Sequence, residues 1–103
     1  MMTREEIQDV LRKAAALVRR GWCKNSPAKD KNGKWAAPRD PRAVCWCATG
    51  AIQKICGGPN DGWEAVAALR NVLFMDVQTW NDTYARDGEH VAQKMEEAIR
   101  TTV

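Results

Sequence analysis

Three of the four cysteines stand within AVCWCATGAIQKIC, as Cys45, Cys47 and Cys56; the fourth, Cys23, follows Trp22. Thiols act as zinc ligands, as nucleophiles or as small buried hydrophobes. Structural zinc sites usually leave two to four residues between paired cysteines, so that one turn aims both sulfurs at the ion. Cys45 and Cys47 have a single residue between them. On the helix expected over residues 40–56 their side chains point about 200° apart. That geometry forbids a disulfide between them, and no metal site is expected. A nucleophilic thiol needs a base, and His90 is the only histidine. A Cys23–His90 pair therefore depends on the fold. Cys23 follows a helix end among basic residues, surroundings that favour the thiolate. A small thiol enzyme using Cys23 and His90 is thus one reading. No motif accompanies the pair, so no catalytic residue and no cofactor is assigned. Buried packing is the expected role of the thiols. Asp82, in the triplet Trp80-Asn81-Asp82, lacks a partner carboxylate and reads as a turn or cap residue.

The second kind of chemistry is aromatic and cationic. Five tryptophans are spread along 103 residues. Trp22 has Arg20 and Lys24 beside it, and Trp35 follows Lys34; such pairs stack on bases and nucleotides. Trp46, Trp63 and Trp80 have no basic neighbour within two residues and read as core anchors. Residues 12–42 hold ten basic side chains against two acidic ones, a net of +8, although the whole chain carries only +3. The candidate ligand surface is the segment 19–42, with Arg20, Trp22, Lys24, Lys29, Lys31, Lys34, Trp35, Arg39 and Arg42. Its partner would be an acidic protein surface, nucleic acid or a nucleotide. A loop kept soluble by its lysines is the competing reading.

The elements that must position these residues are mostly helical. A length of 103 residues, 45% hydrophobic and 28% charged, fits one globular domain over 1–103. No apolar run is long enough for a membrane span, and the acidic start MMTREEIQDV does not resemble an export signal. Free thiols in the cytoplasm are expected. Thr3 with Glu6 forms a capping-box spacing for a first helix, which Gly21 ends. Asn32-Gly33 predicts a hairpin turn between Ala28-Lys29 and Lys34-Trp35-Ala36. Asp40-Pro41 predicts the start of a second helix running to Cys56 and stopped by Gly57-Gly58. Asp61 with Glu64 predicts the cap of a third helix, VQTWNDTYARDG reads as a loop, and a last helix begins near Asp87. Gly50, inside the second helix, implies close approach of a neighbouring element. The fold expected is mainly α, a compact four-helix domain with a short β-hairpin or irregular excursion between helices 1 and 2. Its expected core is Ile7, Leu11, Leu17, Trp46, Cys47, Ala51, Ile55, Leu69, Leu73, Met95 and Ile99.

Three segments carry a resemblance. They are Trp22-Cys23, with Asp30 and Gly33 after it; the run from Asp40 to Ala51; and Trp80-Asn81-Asp82. Together these resemble a family of small uncharacterised bacterial and phage proteins with the pattern W-C, D-P-x-A-V-x-W-C-x-x-G-A and W-N-D, over roughly residues 5–100. This chain departs from the family's W-C-x-G-A, because Asn25 stands where the pattern has glycine. The resemblance implies a compact cytoplasmic domain in which Trp22, Cys23, Trp46 and Cys47 pack as one unit. It supplies no activity. For a phage-encoded protein, sequestering a host-defence protein or its nucleotide messenger would suit a small binding domain.

Overall fold

The computed structural model describes residues 2–57 and 61–102. Helix α1 spans Arg4–Arg20. Three two-residue strands follow: β1 Ala28–Lys29, β2 Trp35–Ala36 and β3 Cys45–Trp46. Four helices complete the chain: α2 Ala48–Cys56, α3 Trp63–Leu73, α4 Val77–Thr83 and α5 Gly88–Thr101. The protein is mainly α, as expected. It has five helices among the described residues rather than four, and the hairpin is part of an antiparallel sheet of order β2-β1-β3.

The predicted capping box opens α1. Thr3 Oγ1 accepts the Glu6 N–H at 3.2 Å, and Glu6 Oε1 accepts the Thr3 N–H at 2.9 Å. Leu11, Ala14, Ala15, Leu17 and Val18 are buried along one face. The helix ends at Gly21, but in an extended conformation rather than a left-handed one. Glycine is needed there for space, because a Cβ would lie 2.2 Å from the Val44 carbonyl oxygen. α5 begins near Asp87 as expected, with Asp87 as its N-cap, and packs along α1. Arg19 fastens the pair by gripping Glu89 and Glu96.

The hairpin has the expected arms, with Ala28 opposite Ala36 and Lys29 opposite Trp35. Asp30 Oδ1 shapes its turn by accepting the N–H groups of Asn32 and Lys34 at 2.9 and 3.0 Å. Three other expectations are corrected. The second helix does not start at Asp40-Pro41. Asp40 Oδ1 accepts the Arg42 N–H at 2.8 Å and closes a turn. Cys45 and Trp46 then pair with the open edge of β1, and α2 waits for Cys47 as its N-cap. Neither Asp61 nor a capping box starts α3, which follows left-handed Gly62 with no side-chain cap. Glu64 instead accepts the Met2 N–H at 2.6 Å. The expected loop over VQTWNDT is helix α4, capped by Asp76, whose carboxylate accepts the Thr79 N–H at 2.9 Å.

Left-handed Gly57 closes α2 as expected; Gly58 lies outside the described residues. Gly50 does meet a neighbour, since a Cβ there would lie 1.9 Å from the Pro27 carbonyl oxygen. Leu11, Leu17, Trp46, Cys47, Ala51, Leu69, Leu73 and Met95 are buried as expected, while Ile7, Ile55 and Ile99 are only partly buried against the core.

Candidate functional site

Two features stand out around the sheet: a buried polar pin that fixes it to the helices, and an outer face that meets solvent. The pin begins where the two tryptophan–cysteine pairs lie side by side. Trp22 and Trp46 form a parallel bridge. The Cys23 N–H reaches the Trp46 carbonyl at 3.2 Å, and the Trp46 N–H reaches the Gly21 carbonyl at 3.0 Å. Cys47 Sγ accepts the Gly50 N–H at 3.3 Å, so a buried thiol caps α2.

Asn81, fully buried on α4, ties these segments together. Its Oδ1 accepts from Trp22 Nε1 at 2.9 Å and from the Ala48 N–H at 3.0 Å. Its Nδ2 donates to the Cys23 carbonyl at 3.3 Å and to Asp82 Oδ1 at 3.0 Å. All four hydrogen-bonding positions of the amide are therefore used. The Ala48 N–H is one of the orphan donors of the α2 N-terminus, satisfied here by a side chain from another helix. Asp82 Oδ1 also accepts the Asn25 N–H at 2.9 Å, and its Oδ2 accepts from Gln78 Nε2 at 3.0 Å. Burial pushes this carboxyl up, but the Asn25 N–H, the Asn81 and Gln78 amides and nearby Lys24 together hold it below its ordinary value. Asn25 has φ +69°, a left-handed conformation that asparagine tolerates better than most residues. It stands where the resembled pattern has glycine, the other residue that adopts this conformation readily.

The thiols are arranged for packing. All four are free, with Cys23 and Cys47 buried and Cys45 and Cys56 half-buried. Burial, a hydrogen bond with Cys45 and the proximity of Cys47 push the Cys23 thiol up to about 12. A nucleophile needs the opposite shift. The expected effect of basic surroundings on Cys23 is outweighed because the residue lies beneath the surface. His90 Nδ1 accepts the Arg86 N–H at 3.1 Å, and its ring sits edge-on to Trp80 with centroids 5.0 Å apart. Cys23 Sγ lies against the Ser26 carbonyl instead. Among the described residues, no group of three or more His, Cys, Asp or Glu side chains is placed to hold a metal ion.

The outer face of the sheet is different. Ala28, Ala36 and Trp46 share the inner face and are buried. Lys29, Trp35 and Cys45 share the other face, with Lys29 in the middle. Trp35 is 67% exposed. Lys31 and Lys34 are exposed in and beside the turn that joins β1 to β2. Lys29, Lys31 and Lys34 form no ion pair among the described residues. The structure thus gathers four of the nine candidate residues at one hairpin. The others are placed elsewhere or engaged. Arg20 is exposed at the end of α1, and exposed Lys24 lies near Asp82. Half-buried Trp22 gives its indole N–H to Asn81. Arg39 donates to the Gly57 carbonyl, and Arg42 pairs with Asp40 at 2.8 Å.

Trp46 and Trp80 are core anchors as expected, but Trp63 is 65% exposed. Ala65 and Leu69 take the inward face of α3, and Trp63 lies about 200° around the helix from Ala65. Sequence reading missed Asn81 as the centre of the pin. The available signal was a polar residue directly beside Trp80, at helical spacing from Val77.

These features define a small helical protein that carries a minimal sheet, locked from behind by an asparagine and open in front. The chain belongs to DUF6197, a family of unknown function, whose family model matches residues 2–101. No curated protein and no solved structure matches it. No helix among the described residues is long and apolar enough to cross a membrane.

Proposed function

We propose that this is a non-enzymatic binding protein that takes an anionic, base-bearing ligand, a nucleotide or single-stranded nucleic acid, on the outer face of its sheet. The observation that carries the reading is Trp35, 67% exposed and directly across from Lys29, with Lys31 and Lys34 around it. An exposed indole offers a stacking face, and unpaired lysines offer charge to phosphates. An acidic protein surface would use the lysines but has less need of the indole. The thiol-enzyme alternative is less favoured, because Cys23 is buried with a raised pKa and has different neighbours from His90. A free-thiol protein of this kind suits the cytoplasm. Capture of a nucleotide messenger or nucleic acid from a host defence would be one use of such a face.

The test is fluorescence anisotropy with a labelled single-stranded oligonucleotide and, separately, a labelled acidic peptide. The expected result is salt-sensitive oligonucleotide binding. Trp35→Ala and the Lys31→Glu, Lys34→Glu double variant should each weaken it at least tenfold without changing the melting temperature. Tight peptide binding indifferent to Trp35 would replace nucleic acid with a protein partner. Binding unaffected by all three substitutions would refute the site.

A further inference from the structure

We propose that a hollow along α5, between Arg86, His90 and Lys94, binds a doubly charged phosphate group, either free or carried by a small phosphate monoester. The site is on α5 rather than on the sheet, and it stands whether or not the sheet face takes a ligand. The hollow, about 330 Å³, is lined by Arg86, His90, Gln93, Lys94, Glu97 and Arg100. Three of these side chains carry positive charge, against the single carboxylate of Glu97. Arg86 and Arg100 form no ion pair among the described residues. Lys94 reaches Glu97 only at 3.4 Å, whereas Arg19 grips its two partners at 2.8 and 2.9 Å. A loose, solvent-reached pair of that kind is worth little, so Lys94 can turn to a stronger anion.

His90 is held in place at the centre of this group. Its Nδ1 accepts the Arg86 N–H, and its ring lies edge-on to buried Trp80. Because Nδ1 accepts, the neutral ring carries its proton on Nε2. That N–H makes no hydrogen bond among the described residues and can be given to a ligand oxygen. The surroundings of the ring are electropositive. Burial first, then Arg86 and Lys94, hold its pKa below the ordinary value. Asp87 opposes them, but its carboxylate is occupied with the His90 N–H at 2.7 Å. Glu89 and Glu96, also on α5, are taken up by Arg19. Arg86 and Lys94 stand four residues to either side of His90, so an anion at the ring meets a cation from each direction. A phosphate fits this better than a carboxylate does. Its oxygens are arranged tetrahedrally, so a guanidinium, an imidazole N–H and an ammonium can each reach a different one, whereas a carboxylate offers two oxygens in a plane.

His90 is the only histidine, so its ring resonances report on the site directly. They are followed by NMR while sodium phosphate or phenyl phosphate is added to the full chain at about pH 7.5, where both probes are mainly dianions. Ionic strength is held constant with sodium chloride. The expected result is a saturable shift, half complete at about 1–10 mM probe, with the His90 pKa higher in saturating probe because a bound anion favours the imidazolium. Arg86→Ala should weaken binding about fivefold or more. Glu97→Gln should tighten it by removing the competing carboxylate, and Trp35→Ala should leave it unchanged. Arg86 and Glu97 are not buried, so both variants should keep the wild-type melting temperature without phosphate. Tighter binding of phenyl phosphate would identify a monoester as the ligand, and tighter binding of inorganic phosphate the free ion. A shift that never saturates, or that sodium chloride alone reproduces, would overturn the site. So would saturable binding indifferent to Arg86→Ala.

Discussion

Replacing Asn81 with alanine should be among the most damaging single changes available to this protein. The substitution removes two acceptor and two donor bonds at once. The Ala48 N–H and the Cys23 carbonyl belong to buried residues, so water does not readily replace the amide there. Each buried group left without a partner costs about 1–3 kcal/mol. Trp22 Nε1 belongs to a half-buried residue and Asp82 retains other donors, so both recover part of their loss. The expected cost is therefore about 3–5 kcal/mol, a large share of the roughly 5–15 kcal/mol that stabilises a small protein. Urea titration followed by tryptophan fluorescence measures it as a fall in midpoint at constant slope.

Asn81→Asp separates the hydrogen-bond argument from simple loss of volume. The new carboxylate keeps an oxygen for Trp22 and Ala48. Its second oxygen faces the Cys23 carbonyl and Asp82 Oδ1, both acceptors, in place of the original donor. Burial and the like charge raise its folded pKa above the roughly 3.9 of an unfolded aspartate. A raised pKa means stability that is present below the unfolded value and lost as pH rises through the folded one. The deficit against wild type should therefore grow from pH 4 to pH 7. An Asn81→Ala cost under about 1 kcal/mol, or an Asn81→Asp deficit that ignores pH, would refute the pin.

Gly50→Ala should destabilise by about 1–3 kcal/mol through overpacking on the Pro27 carbonyl, although helix propensity alone predicts a gain of about 1 kcal/mol; the sign of the urea-midpoint shift decides. Asn25→Gly should be nearly neutral, whereas Asn25→Val should cost about 1–2 kcal/mol, because a β-branched residue resists φ +69°. Asp82 has a lowered folded pKa, so its contribution is present above the unfolded value and lost as pH falls through the folded one. The acid limb of the wild-type stability curve should flatten in Asp82→Asn, measured as urea midpoint between pH 5 and pH 2; an unchanged limb would show that this carboxylate contributes nothing.

Local rules carried much of the fold. The Thr3 capping box, the start of the last helix near Asp87 and the Asn32-Gly33 turn depend on a few neighbouring residues, and each is formed where the sequence placed it. The failures are nonlocal. Asp40-Pro41 is a sound helix start by itself, but Cys45 and Trp46 have a strand edge to pair with, and that edge comes from Ala28 and Lys29, sixteen to eighteen residues earlier. Helix α4 was obscured because its inward stripe contains Asn81, whose polarity breaks the apolar period that marks a helix. The same holds for the site. Trp35 with Lys34 was legible as a pair of neighbours, whereas the position of Lys29 opposite Trp35 depends on register. The indole N–H of half-buried Trp22 is taken up by Asn81, and Arg42 remains exposed but pairs with Asp40; both partners are invisible to a reading of near neighbours.

Strands of two residues have too few ladder bonds to stand alone. This sheet persists because its inner face is continuous with the core and its back is bonded to Asn81 and Asp82 through the segment Trp22–Asn25. Small residues make the fit possible, with Ala28 and Ala36 lying flat beneath the sheet and Gly50 passing under Pro27. Almost none of this anchoring uses the side chains of Lys29, Lys31, Lys34 or Trp35. The outer face is therefore free to change with little effect on stability, while the inner face and the pin are not. A ligand on the outer face would meet a surface already held in place, so binding would require little ordering of the hairpin.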